Sequence, residues 1–136
     1  MSAVAMTLKH NGIVYDAEIS VVERTRLGME DHGICTAVID FASLNGGWHQ
    51  SNAARGLDTY DKATDRRVGT AFGMDHIMTI AATFGLPQWE DIKGQRCLVL
   101  RRKSYGMIEG FADLSGERVM IFADHAAAWF PGEVSS

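Results

Sequence analysis

The sequence predicts an α+β fold: a mostly antiparallel β-sheet with one main helix over about residues 70–85 and a short C-terminal helix. Three features carry that expectation. Apolar and polar residues alternate with period two through much of the first part of the chain, the spacing of half-buried strands. The stretch Gly69–Gly94, GTAFGMDHIMTIAATFGLPQWEDIKG, presents a helix start, an apolar face and a helix stop in order. Turn signals at Asn11–Gly12 and Asp113–Gly116 read as hairpin connections.

Val4, Met6 and Leu8 alternate with Ala5, Thr7 and Lys9 in a first strand, and Asn11–Gly12 turns the chain because both residues tolerate positive φ. In the return strand Ile13, Tyr15, Ala17, Ile19 and Val21 share one face, with Asp16, Glu18 and Ser20 on the other. The strand becomes basic at Arg24 and Arg26 before the compact segment LGMEDHG. Residues Ile34–Phe41 read as a third strand, with Cys35, Ala37, Ile39 and Phe41 on its more apolar side. The stretch Ser43–Gly56, rich in Asn, Gly and Ser, reads as a long loop, a feature uncommon inside a compact domain and often functional. Leu57–Gly69 reads as a short strand and a polar turn. Thr70 is placed to cap the main helix. Met74, Ile77, Met78, Ala81 and Ala82 recur at spacings of three and four as its expected inward face, extended by Ile80 and Phe84. Gly85–Leu86–Pro87 closes it, because glycine takes the left-handed position and proline blocks continuation. After the short turn QWEDIKG come the strand Arg96–Arg101 and a hairpin of Tyr105–Ala112 with Glu117–Phe122. Asp124 is the expected cap of a last helix, HAAAWF, which stops at Pro131–Gly132.

At 136 residues the chain is expected to form a single domain, 1–136, with a core that needs no metal or disulfide staple. The net charge of −4 argues against a duplex-DNA binder, which needs a broad basic footprint. Cys35 and Cys97 both lie in apolar runs and read as reduced core thiols. The start MSAVAMTLKH lacks the pattern of a signal peptide, and no segment approaches the length of a membrane helix, so the expected location is cytoplasmic. No cofactor is expected.

Several residue groups are candidates for chemistry. The dipeptides Asp31–His32, Asp75–His76 and Asp124–His125 contain metal-ligating residue types, but neighbours along a strand point to opposite faces, so caps, turns and surface pairs are the plainer reading. His32, crowded by Glu30 and Asp31 next to Gly33, is the best of the three. Lys93, Arg96, Arg101, Arg102 and Lys103 bring five positive charges, with no acidic residue between Lys93 and Met107. Guanidinium forks match phosphate oxygens, and Tyr105 beside them is placed to stack on a base; a charged strand edge guarded against aggregation is the competing reading. Gly69, Gly73 and the first amides of the main helix form a start that can accept phosphate, where Phe72 is either a stacking platform or a core anchor. Trp48, in the polar loop, must either fold back or meet a partner.

Two segments, TRLGMEDHGI (Thr25–Ile34) and RVGTAFGMDHIMTIAATFGLPQWEDIKG (Arg67–Gly94), together resemble a family of small proteins encoded in phages and prophages, over about a third of the chain. The chain looks similar to phage counter-defence proteins of the anti-Thoeris sponge type, which sequester cyclic ADP-ribose-like signals. The resemblance implies a homo-oligomer with ligand pockets at subunit contacts and no catalysis. The matching positions are Leu27, Gly28, Glu30, Asp31, His32, Gly33, Phe72 and Gly73. Related sequences carry a Gly- and aromatic-rich loop after the third strand; here that region is HQSNAARGLD.

The leading expectation is therefore a binding protein for a small phosphorylated nucleotide, such as a cyclic nucleotide immune signal, with Arg26, His32, Trp48, Phe72, Gly73, Arg101, Arg102 and Tyr105 as ligand-binding residues. A second is an anti-CRISPR-type inhibitor that binds a bacterial defence effector through an acidic surface, with the Trp48 loop at the interface. A third is a metal-dependent hydrolase using His32 with Glu30 or Asp31.

Overall fold

A computed structural model describes residues 6–30, 33–53, 56–103 and 106–131. The fold is α+β and mostly antiparallel, as the alternation predicts. Strands β1 (Met6–His10) and β2 (Ile13–Met29) form the first hairpin, with Asn11 and Gly12 both at positive φ in its turn. Strand β2 organises the sheet. One of its edges pairs first with β1 and then with β3 (Cys35–Ser43), while the other pairs with β7 (Arg96–Arg101). Strand β4 (His49–Ala53) extends the sheet beyond β3, and β8 (Gly110–Ala112) and β9 (Val119–Ile121) extend it beyond β7. A separate hairpin of β5 (Asp58–Asp61) and β6 (Arg66–Gly69) leads into helix α1 (Ala71–Phe84). Helix α2 (Phe122–Trp129) follows β9 directly. Among the described residues, no helix is long and apolar enough to cross a membrane.

Both faces of the sheet are apolar, but at different places. Helix α1 lays Ile80 and Phe84 on one face, against Val22, Phe41, Val99 and Phe111. The other face buries Tyr15, Ala17, Leu98, Leu100, Ala112 and Ile121, with Leu8 and Ile13 of the first hairpin against them. This explains a departure from the simple two-residue period. The burial of β2 changes face after Ala17: Ser20 and Val22 are fully enclosed, while Ile19 is 38% exposed. Alternation correctly marks a strand; which face is covered depends on which layer packs above it. Cys35 and Cys97 are free thiols, and burial pushes the Cys97 thiol up to about 12.

Four further expectations are corrected. The stretch Ser43–Gly56 is not one long loop, because β4 pairs with β3 from Val38↔Ala53 to Ala42↔His49. Its turn is closed by the Ser43 hydroxyl, which accepts from the Trp48 amide and donates to Asn45. In α1, Met74 and Met78 face outward, each 61% exposed, and the buried stripe is Phe72, His76, Ile80 and Phe84. A histidine fills the position where the sequence offered methionine, so hydrophobicity alone mispoints the helix. Helix α2 begins at Phe122, without a side-chain cap; Asp124 lies in its first turn. The last hairpin is shorter than expected because the Asp113 carboxylate accepts the Glu117 and Arg118 amides and ends the ladder. The caps of α1 are as read: Thr70 accepts from Gly73 N, and Gly85 adopts φ 75°.

Candidate functional site

A cleft of about 570 Å³ is lined by Glu23, Arg24, Asp40, His49, Gln50 and Ser51. A register shift in β2 between Val22 and Arg24 sets Arg24 opposite Asp40, and Asp40 in turn pairs with Ser51 of β4. Three strands thus align a guanidinium, a carboxylate and a hydroxyl. Arg24 Nε donates to Asp40 Oδ2 at 2.8 Å, and the Ser51 hydroxyl donates to Oδ1. Burial pushes the Asp40 carboxyl up, but the Ser51 and Arg24 hydrogen bonds and the charges of Arg24 and Arg26 outweigh it and hold it below the usual value. Asp40 is an ionised anchor. Its side chain is 10% exposed and that of Arg24 63%, so a buried acid positions an accessible base. Arg26, two residues along the same strand, adds positive potential and lies 3.6 Å from Glu30. His49 Nδ1 lies 3.8 Å from the Glu23 carboxylate.

A second polar cluster joins Trp48 and Arg101. The Arg101 guanidinium lies 4.3 Å over the Trp48 ring, and the indole N–H donates to both Glu18 oxygens at 3.2 and 3.1 Å. Arg101 also reaches Glu18 at 3.4 Å and donates from Nε to the Gly106 carbonyl. Trp48 therefore folds back and packs against the core. The cluster satisfies itself, since Glu18 already fills the place of an anion. Strand β7 lies between β2 and β8, so its charges do not guard a sheet edge. Glu18→Ala leaves a nearly buried guanidinium without its carboxylate and is expected to cost about 2 kcal/mol in urea unfolding, with Glu18→Gln about half that. A cost near zero for both would show that the pair contributes nothing.

The helix entrance is closed. Phe72 is 4% exposed, enclosed by the rings of His76, His125 and Phe130 at centroid distances of 5.6, 5.5 and 5.2 Å. It is a core anchor and presents no stacking face. Gly73 is required for close packing: a β-carbon there would collide with the Leu57 carbonyl oxygen. Thr70 takes the Gly73 amide and donates its hydroxyl to that same carbonyl. Arg102 is exposed and lies 3.9 Å from Glu109. His32 and Tyr105 lie outside the described residues. Arg26 and Arg101 project from opposite sheet faces: Arg101, two residues from Val99, shares its α1-side face, while Arg26 pairs with Val38, which alternates with the α1-side Ile39. Phe72, Gly73, Arg26, Arg101 and Arg102, expected to bind one ligand, therefore do not line a common site.

Sequence reasoning left Arg24, Asp40 and Glu18 out of the site. The signal for Asp40 was present: one acid inside an apolar strand must find a partner.

Two of the Asp–His pairs meet. Asp75 Oδ2 accepts from His125 Nε2 at 2.8 Å and from Trp129 Nε1 at 2.9 Å, tying α2 to α1. The Trp129 and His125 hydrogen bonds hold the Asp75 carboxyl below its usual value. Thr79 Oγ1 lies 3.5 Å from the same imidazole nitrogen. A nucleophile relay needs hydroxyl and acid on opposite ring nitrogens, so this group is a fastening. Among the described residues, no group of three or more His, Cys, Asp or Glu is arranged to hold a metal ion. No family model, curated protein or solved structure matches the chain.

Proposed function

We propose that this chain is a non-catalytic binding protein that captures a small phosphorylated nucleotide in the cleft between β2, β3 and β4. In this reading it is a phage-type counter-defence protein of the host cytoplasm, in keeping with the resemblance of its two motif segments. The observation that supports the ligand chemistry is Arg24, held by buried Asp40 while its side chain remains 63% exposed. A guanidinium fixed by a carboxylate loses little freedom on meeting a phosphate. Arg26 on the same face adds a second cation, and Glu23, Gln50 and Ser51 offer partners for hydroxyls and base edges. The volume of about 570 Å³ falls in the range of small-molecule sites.

Isothermal titration with cyclic ADP-ribose isomers and cyclic dinucleotides tests this. Binding is expected for at least one, weakened tenfold or more by Arg24→Ala, a loss of about 1.4 kcal/mol or greater. Arg26→Ala, acting through longer-range charge, is expected to weaken it about threefold. No heat across the panel at about 100 μM protein would remove the reading.

A second reading, an inhibitor that docks on a defence effector, draws support from the outer face of α1. Met74 and Met78 are exposed there, and Trp129 of α2 is 41% exposed. Contiguous exposed apolar side chains mark interaction surfaces. Capture of a purified effector without nucleotide, lost on Met78→Glu, would favour this reading over the first.

A further inference from the structure

We infer that α2 is a proton-sensitive latch, which closes over Phe72 and His76 at neutral pH and loosens as His76 takes up a proton. The geometry carries the inference. Helix α2 has eight residues, none fully buried, with Phe122 and Ala126 turned inward. Its polar and ring contacts gather on one short stretch of α1. His125 and Trp129 both bond Asp75. The His125 ring lies 5.4 Å from the His76 ring and 5.5 Å from Phe72, and Phe130 just beyond the helix lies 5.2 Å from Phe72. Phe122, at the start of α2, lies 6.5 Å from His76 and packs against the main core, which makes it a pivot.

His76 is the sensitive element. It is 2% exposed, and its Nδ1 is buried without a hydrogen-bond partner, as is Nδ1 of His125. A proton on the His76 ring would add charge to an apolar aromatic pocket, and on Nδ1 a buried donor with nothing to receive it. The groups around it do not compensate. Asp75 and Thr79 of α1 engage His125. Trp129 offers only an N–H. Arg118, before β9, lines a concavity with Asp75 and Thr79 and offers a cation, not an acceptor. Glu109, whose carbonyl accepts the Phe122 amide, has its carboxylate 3.9 Å from Arg102. Trp89 and Cys35 pack around Phe72, while Glu90 and Asp91 beside Trp89 remain exposed.

The direction follows by linkage. Burial first, and the His125 charge second, push His76 from 6.5 down to about 4, against the opposing pull of Asp75. The closed state therefore binds fewer protons than the open one between these values. Closure is fully favoured above pH 6.5 and loses ground as pH falls toward about 4. Asp75, also lowered, weakens the latch only below its ordinary value of 3.8, outside that window. Opening uncovers the Phe72 ring.

Hydrogen exchange on the intact chain, corrected for the intrinsic rate, tests the latch. Protection of the 125–129 amides is expected to fall about fiftyfold between neutral pH and pH ~4.5, while Leu98–Leu100 in β7 keep theirs. His76→Phe retains a ring but cannot ionise, and is expected to make α2 protection independent of pH across this window. Unchanged α2 protection, a parallel fall in β7, or the same fall in His76→Phe would each overturn the inference. Should His76→Phe not fold, NMR titration of the His76 ring in the parent chain decides. A midpoint well below 6.5 supports the latch, and one at or above 6.5 overturns it.

Discussion

Phe111→Ala is expected to lower the stability of the protein by about 4 kcal/mol, moving the urea midpoint down by about 2 M. Phe111 has no exposed surface and stacks on Phe84 at 4.5 Å, with Phe41 and Phe122 each 6.0 Å away. One ring on β8 thereby joins β3, α1 and the start of α2. Removing it leaves a cavity that surrounding strands, fixed by ladder hydrogen bonds, cannot collapse to fill. Phe111→Leu, which keeps most of the volume, is expected to cost about 1.5 kcal/mol. A loss below about 1 kcal/mol for the alanine variant would mean that the core is not centred on this ring.

Gly73→Ala is expected to cost about 3 kcal/mol and lower the melting temperature by about 10 °C. Alanine is ordinarily the better helix former, so a destabilising result runs against propensity. The reason is the Leu57 carbonyl, which occupies the space of the added carbon and, being backbone, cannot step aside cheaply. Gly69→Ala is the control. It has open space around its β-position, and a change within about 0.5 kcal/mol is expected. The pair also separates two roles for Gly73. If its amide formed a phosphate site, alanine would weaken ligand binding in molecules that remain folded. If its role is close packing, as its contacts indicate, binding per folded molecule stays unchanged.

The caps of α1 were legible because they are local: Thr70 needs only the amide three residues on, and Gly85 only its own φ. The hairpin at Asn11–Gly12 was legible for the same reason. The Arg24–Asp40–Ser51 alignment was not, since it joins three strands and depends on a register shift in β2. Trp48 and Arg101, two residues suspected separately, do meet, but with Glu18 between them the pair is closed to an anion. The sequence leaves Phe72 as either platform or anchor, and α2 decides the matter by covering it.

By itself, the sequence determined the α+β class, the two hairpin turns, the ends of the main helix and the absence of a broad basic footprint. These follow from dihedral preferences, periodicity and charge, which act over a few residues or over the whole composition. Tertiary structure alone decided which face of β2 and of α1 is buried, where each arginine finds its carboxylate, and that the entrance of α1 is packed shut. Those outcomes depend on which layers lie against one another, and side-chain chemistry along a single strand or helix carries no record of its distant neighbours.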